Sequence, residues 1–397
     1  MKRVLLTCED YFPHIGGAEV CVYNLRRELR ALGYGVTVFT NTTKTTDDED
    51  GVMRLGWSLS PRSLVAHLRM LWKLIGTCDI VHCQYSFRIA AIAGVIARLR
   101  GKPMLLSQQG KGIVPEAGST FLNSLLIKIC QHVSMRSATH LTATSDEIFD
   151  LTAAFVPREK ITLVSNGYDA KIFSPNPSLP VPAEFLSVPS GTKKILSVRR
   201  LVPKNGIHIF VQALAIVKKI RSDFHYFAIG EGRVEGFIKE LIKEFGLENN
   251  VTLLGKRGNE TLPSYYQHAD LVVVPSSAEA RSIACIEAMG MGKPIIASRV
   301  GGLIDLLGSD SRYGELVKIY DSEACTYGPP DRLSAERLQP LVDAIIGFLQ
   351  DPVLLQEKAE KARLHVREHC SWEGITKEYV GIYEGLLLPH AGSNPLP

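Results

Sequence analysis

Apolar and polar positions along the chain predict strands and helices in alternation. Residues 4–7 form an apolar run, and after a glycine-containing loop the apolar residues of 18–32 recur at steps of three and four. The run is typical of a buried strand and the repeat of an amphipathic helix. The further predicted strands are 36–40, 79–83, 103–107, 141–145, 161–166, 195–198, 251–254, 271–274 and 294–297. Because parallel strands need crossover helices, the alternation predicts an α/β fold with parallel sheets.

A proline-rich segment divides the chain. Residues 174–191 have no apolar periodicity and are predicted to be a linker. A chain of 397 residues is also too long for one ordinary core. We therefore predict an N-terminal domain over 1–180, a C-terminal domain over 192–371 and a last helix at about 372–388. Residues 309–331 carry no clear pattern and are interpreted as an insertion before a helix over 332–349.

The candidate chemistry is concentrated after the predicted strand 271–274. Ligands of open α/β sheets bind at the carboxyl ends of the strands, and the loop 276–282 occupies such a place. Glu279 lies in this loop, and Glu287 follows within the next predicted helix, 282–290. A carboxylate accepts hydrogen bonds from two hydroxyls, which suits a ribose diol or a hexose.

Another loop favours phosphate binding. Arg199, Arg200 and Lys204 follow the strand 195–198 and precede a predicted helix, and cations beside a helix N-terminus suit a diphosphate. Gly16 and Gly17 lie between the first strand and the first helix, where two glycines by themselves are typical of a plain turn.

These motifs resemble the donor-binding signature of the retaining glycosyltransferases of family 4, the glycosyltransferase group 1 type, which have the GT-B fold. The resemblance rests on the Glu279 and Glu287 pair, the following EAMGMGKPIIAS, the Gly301-Gly302 turn, the segment VSNGYDAKIFSP and the C-terminal CSWEGITKEYVGIYEGLL. It implies two Rossmann-like doubly wound domains that face a cleft, with the C-terminal helix crossing back to the first domain.

The resemblance also implies roles for the site residues. Glu287 would hold the ribose hydroxyls of a sugar nucleotide, and Glu279 would hold the transferred sugar. Arg200 would stabilise the leaving diphosphate, and because Asn205 stands at the family's lysine position, we expect the amine of the preceding Lys204 to supply the second charge. Arg200, Lys204 and Glu279 then form the expected catalytic set. The other donor-binding residues that it implies are Gly16, Gly17, Gln109, Ala280, Arg281 and Ser282.

At three positions the sequence departs from the family pattern. Gln109 stands where the family usually has a histidine, Arg199 where it has a glycine, and Asn205 where it has a lysine. Glutamine cannot hold a proton at neutral pH, which weakens any mechanism that needs an imidazole there. Gln109 and Asn205 favour an inactive sugar-binding protein, whereas the intact Glu279 and Glu287 oppose it.

The expected activity is transfer of a hexose-type sugar, with retention, from a UDP- or GDP-linked donor to a glycan or lipid-linked acceptor in cell-surface polysaccharide or glycolipid synthesis. No cofactor is expected. The acidic run 47–50 is interpreted as a solvated loop and no metal site is expected, since this fold normally needs no D-x-D motif. The alternatives are a nucleotide-sugar epimerase or hydrolase on the same fold, or an inactive sugar-binding protein.

Composition narrows the class of protein. The net charge of +4 is too small to imply a nucleic-acid partner, and the eight cysteines include no C-x-x-C pair. The N-terminus reads as a strand and not as a signal peptide, so a cytoplasmic location is expected. The amphipathic helix 60–75 carries Arg62, Arg69 and Lys73 beside apolar residues. It is a candidate for peripheral contact with an anionic membrane at the inner face, and packing against the sheet is the alternative.

Overall fold

The computed structural model describes residues 1–12, 16–43, 50–58, 60–85, 87–110, 121–321 and 330–388. Contacts divide the chain into two compact units. The first unit contains Met1–Asn166 and the segment that starts at Trp372, and the second unit is Gly167–Ser371. Each unit is built on a parallel sheet, which confirms the predicted α/β class.

The described part of the first unit has its strands in the order β3-β2-β1-β4-β5-β6-β7. These strands are β1 (Arg3–Cys8), β2 (Gly35–Thr40), β3 (Val52–Arg54), β4 (Ile80–Gln84), β5 (Met104–Gln108), β6 (His140–Ala143) and β7 (Ile161–Leu163). The helices are α1 (Gly17–Ala31), α2 (Pro61–Thr77), α3 (Arg88–Leu99), α4 (Phe121–Ser137) and α5 (Asp146–Ala153). Both β4 and β5 are buried along their whole length, as expected of central strands in a parallel sheet.

The second unit has its described strands in the order β10-β9-β8-β11-β12-β13. They are β8 (Lys193–Val198), β9 (Phe224–Ile229), β10 (Val251–Gly255), β11 (Leu271–Val274), β12 (Ile295–Ser298) and β13 (Glu315–Val317). The helices are α6 (Ala183–Leu186), α7 (Ile207–Val217), α8 (Glu235–Glu244), α9 (Leu262–His268), α10 (Ile283–Gly290), α11 (Gly301–Leu307), α12 (Ala335–Gln350) and α13 (Val353–His369). Neighbouring residues of β8 enter cores on opposite faces of the sheet, Ile195 one and Leu196 the other.

The last described helix, α14 (Trp372–Leu387), belongs to the first unit and packs against α1. Its Tyr383 hydroxyl lies 2.6 Å from Nδ1 of the buried His82 on β4. Its Tyr379 hydroxyl lies 3.2 Å from Oγ of Ser107 on β5. These contacts confirm the predicted return of the chain to the first domain.

The boundary between the units differs from the predicted linker. The division falls at Asn166 and Gly167, and the proline-rich segment 174–191 lies inside the second unit. Phe173 and Phe185 are buried in that unit's core, and Phe185 packs against Phe227 with ring centroids 4.4 Å apart. Proline content therefore marks an irregular segment here, but two aromatic anchors make it part of the second unit.

The segment interpreted as an insertion, 309–331, contains a strand of the sheet. Leu316 of β13 pairs with Ala297 of β12, so the sheet extends one strand further than the sequence pattern indicates. The strand is short and includes Glu315, which hides its apolar character from a periodicity argument. Residues 322–329 of the predicted insertion lie outside the described residues.

Among the described residues, no single helix is long and apolar enough to span a membrane; α12 and α13 meet the criterion only together, with a bend of 97° between them. The described residues also contain no group of three or more His, Cys, Asp or Glu side chains able to hold a metal ion. Residues 47–49 of the acidic run lie outside the described ranges, whereas Asp50 pairs with Arg30 at 3.1 Å.

Candidate functional site

The candidate site forms where β8 and β11 end side by side. The two strands are neighbours in the sheet, with Leu271 paired to Ile195 and Val272 to Leu196. The loops that follow them, 199–206 and 275–282, are joined because the Ser277 N–H donates to the Lys204 carbonyl at 2.8 Å. The predicted cation loop and the predicted glutamate loop therefore form one structure.

Gly206 makes this close approach possible. Its backbone is left-handed, with φ +70°, and an added Cβ would lie 1.8 Å from the carbonyl oxygen of Pro275. No other residue type fits both conditions. The glycine therefore fixes the distance between the two loops as well as the start of α7.

Arg199 occupies the centre of the site. Its guanidinium forms an ion pair with the Glu279 carboxylate, and only 8% of the Arg199 side chain and 17% of the Glu279 side chain are exposed. The guanidinium also donates to Ser282 Oγ at 2.8 Å and to Asn205 Oδ1 at 3.2 Å. Arg199 thus holds both loops, a role that the sequence did not reveal, because there the residue was identified as a cation of a diphosphate loop and as a departure from a glycine.

Asn205 orients Arg199 through a side-chain hydrogen bond. It is buried, and its amide nitrogen donates to the Arg200 carbonyl at 2.8 Å while its amide oxygen accepts from Arg199. The residue that replaces the family's lysine is therefore part of the scaffold of this loop. The cationic groups that remain beside it are Arg200, whose side chain is exposed, and Lys204, whose side chain is half-buried.

Glu287 lies inside the second unit, in α10. Its side chain is buried, and the Tyr266 hydroxyl donates to its Oε2 at 3.3 Å. Burial raises the pKa of Glu287 to about 8, and the Tyr266 hydrogen bond offsets only part of that rise. At neutral pH the unliganded site therefore holds Glu287 mostly as the neutral acid.

The remaining predicted residues of this loop are fixed by backbone contacts. Ser282 caps α10 by accepting a hydrogen bond from the Cys285 N–H at 3.3 Å. The Glu279 carbonyl accepts from the Gly302 N–H at 2.9 Å, which ties the loop to the Gly301-Gly302 turn. Ala280 and Arg281, between them, are half-buried.

Gly16, Gly17 and Gln109 belong to the first unit. Gly16 is the N-cap residue of α1 with an extended backbone (φ −144°), and Gly17 is the first residue of the helix. A Cβ at Gly16 would come within 2.5 Å of the Glu19 carboxylate, so the glycine accommodates this acidic side chain in the first turn.

Gln109 follows β5 and is buried. Its amide nitrogen donates to Gln84 Oε1, and Gln84 in turn lies 3.1 Å from Nε2 of His82. Burial lowers the pKa of His82 to about 3, so this imidazole is neutral at physiological pH. Gln109, at the position where the family has a histidine, is therefore the last of a series of uncharged amide and imidazole side chains joined by hydrogen bonds.

Replacement of each glutamate with glutamine should change the free energy of unfolding in opposite directions. The folded-state pKa of Glu287 is raised from 4.5 to about 8, so its stabilising contribution is complete below the lower value and is lost as pH rises through the higher one. Glu287→Gln should therefore raise the unfolding free energy at alkaline pH by at least about 1 kcal/mol, with a smaller gain in acid. Glu279→Gln should lower it, because it leaves Arg199 buried without a counter-charge.

Thermal unfolding of both variants and the wild type across pH 5 to 9 measures these effects. A gain of about 1 kcal/mol corresponds to about 2–4 °C for a unit of this size. If Glu287→Gln is no more stable than the wild type at the alkaline end, the carboxyl group is not buried as the neutral acid.

The chain matches two family models in succession. Residues 16–167 match the glycosyl transferase 4-like domain, and residues 183–327 match glycosyl transferases group 1. The D-inositol 3-phosphate glycosyltransferase of Corynebacterium urealyticum is 25% identical over 412 residues, which cover 95% of this chain and 92% of that protein.

Solved structures share the fold at low identity. Anabaena Alr3699/HepE, in complex with UDP-glucose, superposes with a TM-score of 0.78 at 18% identity and covers 97% of this chain and 100% of its own. Sucrose-phosphate synthase from Thermosynechococcus elongatus gives 0.75 at 22% identity, with coverages of 97% and 99%. With a glycosyl transferase 4-like domain in its first unit and a group 1 domain in its second, the chain belongs to the glycosyltransferases of GT-B fold.

Proposed function

We propose that this glycosyltransferase transfers a hexose-type sugar, with retention, from a UDP- or GDP-linked donor to a glycan or lipid-linked acceptor. The observation that carries the proposal is the joined pair of loops after β8 and β11, which pairs Glu279 with Arg199, carries Arg200 and Lys204, and leads into the helix that contains Glu287. The complex of Alr3699/HepE with UDP-glucose supports a nucleotide-sugar donor for a chain of this fold.

Each group then has a distinct task. Glu287 binds the ribose hydroxyls from within the unit, and Glu279 binds hydroxyls of the transferred sugar at the loop. The backbone at Ala280, Arg281 and Ser282 completes the sugar site. Arg200 and Lys204 stabilise the negative charge that develops on the leaving diphosphate.

The Arg199 ion pair shapes the sugar site before any ligand arrives. A sugar hydroxyl that donates to Glu279 shares the carboxylate with a guanidinium, and the guanidinium fixes the direction of the remaining lone pairs. This arrangement holds the sugar and leaves Glu279 poorly placed to act as a nucleophile.

Retention then follows without a covalent enzyme intermediate. The bond between the anomeric carbon and the diphosphate oxygen breaks, and the acceptor oxygen bonds to the same carbon on the same face. The acceptor's hydroxyl proton passes to the departing diphosphate, so no protein base is needed. The balance of the reaction requires no cofactor and no metal ion.

A donor screen tests the proposal directly. The wild type is heated with UDP-, GDP- and ADP-sugars, and the stabilising donor is then incubated with and without candidate acceptors. A ligand at a hundred times its Kd stabilises by about 2.7 kcal/mol, so a true donor is easily detected. Turnover that needs no acceptor indicates an epimerase or hydrolase, and binding without any turnover indicates an inactive sugar-binding protein.

Nucleotide binding should release a proton at pH 7. Ribose hydroxyls donate to the ionised form of Glu287, whereas the unliganded residue, with its pKa of about 8, is mostly protonated. Affinity for the free nucleoside diphosphate should therefore rise as pH approaches 8 and level off above it. Glu287→Gln should lose proton release and about tenfold in affinity.

Calorimetry in two buffers of different ionisation enthalpy measures the released proton. Glu279→Gln is the matched control, because its carboxylate is already paired and the variant should keep the proton release of the wild type. Equal heats in both buffers for the wild type, with unchanged affinity in Glu287→Gln, would remove Glu287 from the ribose site.

Turnover should survive a chelator and depend on Lys204. The ammonium group supplies the charge that a divalent cation supplies in metal-dependent enzymes, so excess EDTA should leave the wild type active. Lys204→Ala should lower kcat by a factor of about 10² to 10³, and manganese should not restore it. Single-turnover rates measure the effect, with Lys219→Ala, an exposed lysine at the end of α7, as the control. Loss of wild-type activity in EDTA and its recovery with manganese would contradict the metal-independent mechanism.

A surface of the first unit supports contact with an anionic membrane. Helix α2 buries His67, Leu71 and Ile75, so Leu64, Leu68 and Trp72 face outward with 42%, 40% and 47% of their area exposed. On α3, which packs against α2, Val95 and Leu99 are also exposed. The basic residues of α2 that surround this apolar face are Arg62, Arg69 and Lys73. Apolar side chains ringed by cations suit the interface of an anionic bilayer, where a lipid-linked acceptor would lie.

Replacement of Arg62, Arg69 and Lys73 with Gln should weaken binding to anionic vesicles. Each lost cation removes about 1 kcal/mol of electrostatic attraction, and the effect should vanish in high salt. Cosedimentation with phosphatidylserine-containing vesicles, compared with neutral ones, measures it.

A charge-matched control is available in the second unit, where Lys219, Lys239 and Lys243 are exposed. Their replacement with Gln removes the same charge from another surface and should leave vesicle binding unchanged. Wild-type protein that stays in the supernatant with anionic vesicles would end the membrane proposal.

A further inference from the structure

The first unit carries a group of cationic and aromatic residues at the carboxyl ends of its strands that the proposed chemistry does not use. Arg54 is the last residue of β3, and Trp57 follows it in the connection to α2. Arg88 is the first residue of α3, shortly after β4. Because β3, β2, β1 and β4 are consecutive in the sheet, these residues all lie at or just after the carboxyl ends of strands in one half of the sheet. We call Arg54, Trp57 and Arg88 the arginine–tryptophan cluster.

Arg88 is the member with the most unused hydrogen-bonding capacity. Its guanidinium lies 5.8 Å from the centre of the Trp57 ring, and its side chain is half-buried. Within the described part of the chain its Nε is buried and has no hydrogen-bond partner. A guanidinium offers five N–H donors, so the ring contact satisfies none of them directly.

Glu9 is an acid whose carboxylate interacts electrostatically with Arg88. It accepts from the Ile89 N–H at 3.0 Å through one oxygen and from the Asn41 amide at 2.5 Å through the other. Burial raises the pKa of Glu9, and the charge of Arg88 offsets part of that rise. Among the described residues no hydrogen bond joins the Glu9 carboxylate to the Arg88 guanidinium, so the N–H donors of Arg88 keep their capacity for a ligand.

Arg54 and Trp57 also have a buried N–H donor without a partner among the described residues. Arg54 donates through one terminal nitrogen to the Phe12 carbonyl at 2.9 Å, but its buried Nε has no partner among the described residues. The Trp57 ring lies against His67, with centroids 4.7 Å apart, and its buried indole N–H is likewise unpartnered across the described ranges. Buried donors without acceptors are costly. They also occur elsewhere among the described residues, as at Nε of Arg100 and Arg199, but Arg88 and Trp57 lie against each other.

The chemistry of the cluster selects its ligand. Two guanidinium groups and an indole N–H are all donors, so the matching group is rich in acceptors and negatively charged. A phosphate or a carboxylate meets both conditions and can bind a guanidinium through two oxygens. A neutral hexose matches less well, because each hydroxyl also brings a donor that this cluster cannot accept.

We infer that Arg54, Trp57 and Arg88 bind an acidic group, phosphate or carboxylate, carried by the acceptor. The inference rests on the proposed function, in which the first unit binds the acceptor. It narrows the acceptor from any glycan to one that bears an acid.

The test compares sugars that differ in one group. Calorimetry measures the binding of glucose, glucose 6-phosphate and glucuronate to the full chain, and the two acids separate a phosphate source from a carboxylate source. The wild type should bind at least one acid about tenfold or more tightly than glucose. Arg88→Gln and Arg54→Gln should each lose about tenfold for that acid and nothing for glucose. Arg98→Gln, an exposed arginine later in α3, should match the wild type.

Two further readings separate this inference from the proposed function. Affinity for the nucleoside diphosphate should be unchanged in Arg88→Gln, since its site is in the second unit, and thermal unfolding shows that the variant is folded. At saturating donor, which fills the diphosphate site of the second unit, inorganic phosphate should inhibit transfer in competition with the acceptor. Equal binding of glucose and both acids by the wild type, or phosphate inhibition that is not competitive with the acceptor, overturns the inference. Loss of nucleotide binding in the wild type instead overturns the proposed function alone.

Discussion

The ion pair between Arg199 and Glu279 holds the candidate site of the second unit together. A buried ion pair is stable only when further hydrogen bonds replace the lost water, and here Ser282 and Asn205 supply them. Removal of one charge leaves the other buried without a partner, which typically costs about 3 to 5 kcal/mol. The pair therefore fixes the geometry of two loops that each hold residues for a different part of the donor. It also explains why Asn205 can replace a lysine, because the position now serves the guanidinium.

Glu279 and Glu287 lie in one loop and helix but are held in different states. Glu279 is paired with a cation at the mouth of the loop, whereas Glu287 is buried beside a neutral hydroxyl and has a pKa of about 8. Ionising the buried Glu287 carboxyl destabilises the unliganded fold, and hydrogen bonds from the hydroxyls of a bound diol would reduce this cost. At neutral pH the hydrogen bonds from the diol must offset this cost, so the need to ionise Glu287 lowers the net affinity for a nucleotide below pH 8. The buried carboxyl is thus a compromise between stability and function.

Sequence alone predicted the features that depend on local pattern. Apolar runs located β8 and β11, and the spacing of Glu279 and Glu287 placed both on the following loop and helix. The role of Arg199 was not predictable, because it depends on how far a long side chain reaches across two adjacent strands. The unit boundary was misplaced because proline content does not record that Phe185 is buried.

The two units differ in how far hydrogen bonds and counter-charges pair their arginine side chains. In the second unit the central cation is paired by Glu279, Ser282 and Asn205, so the site is organised before its ligand arrives. In the first unit no described residue accepts a hydrogen bond from the Arg88 guanidinium, which lies over the Trp57 ring and interacts electrostatically with the Glu9 carboxylate. A site that pairs its own charges binds a neutral sugar without a large net field. A site that leaves donors unpaired binds an acid and gains their full hydrogen-bonding capacity, so discrimination between acceptors should depend on the first unit.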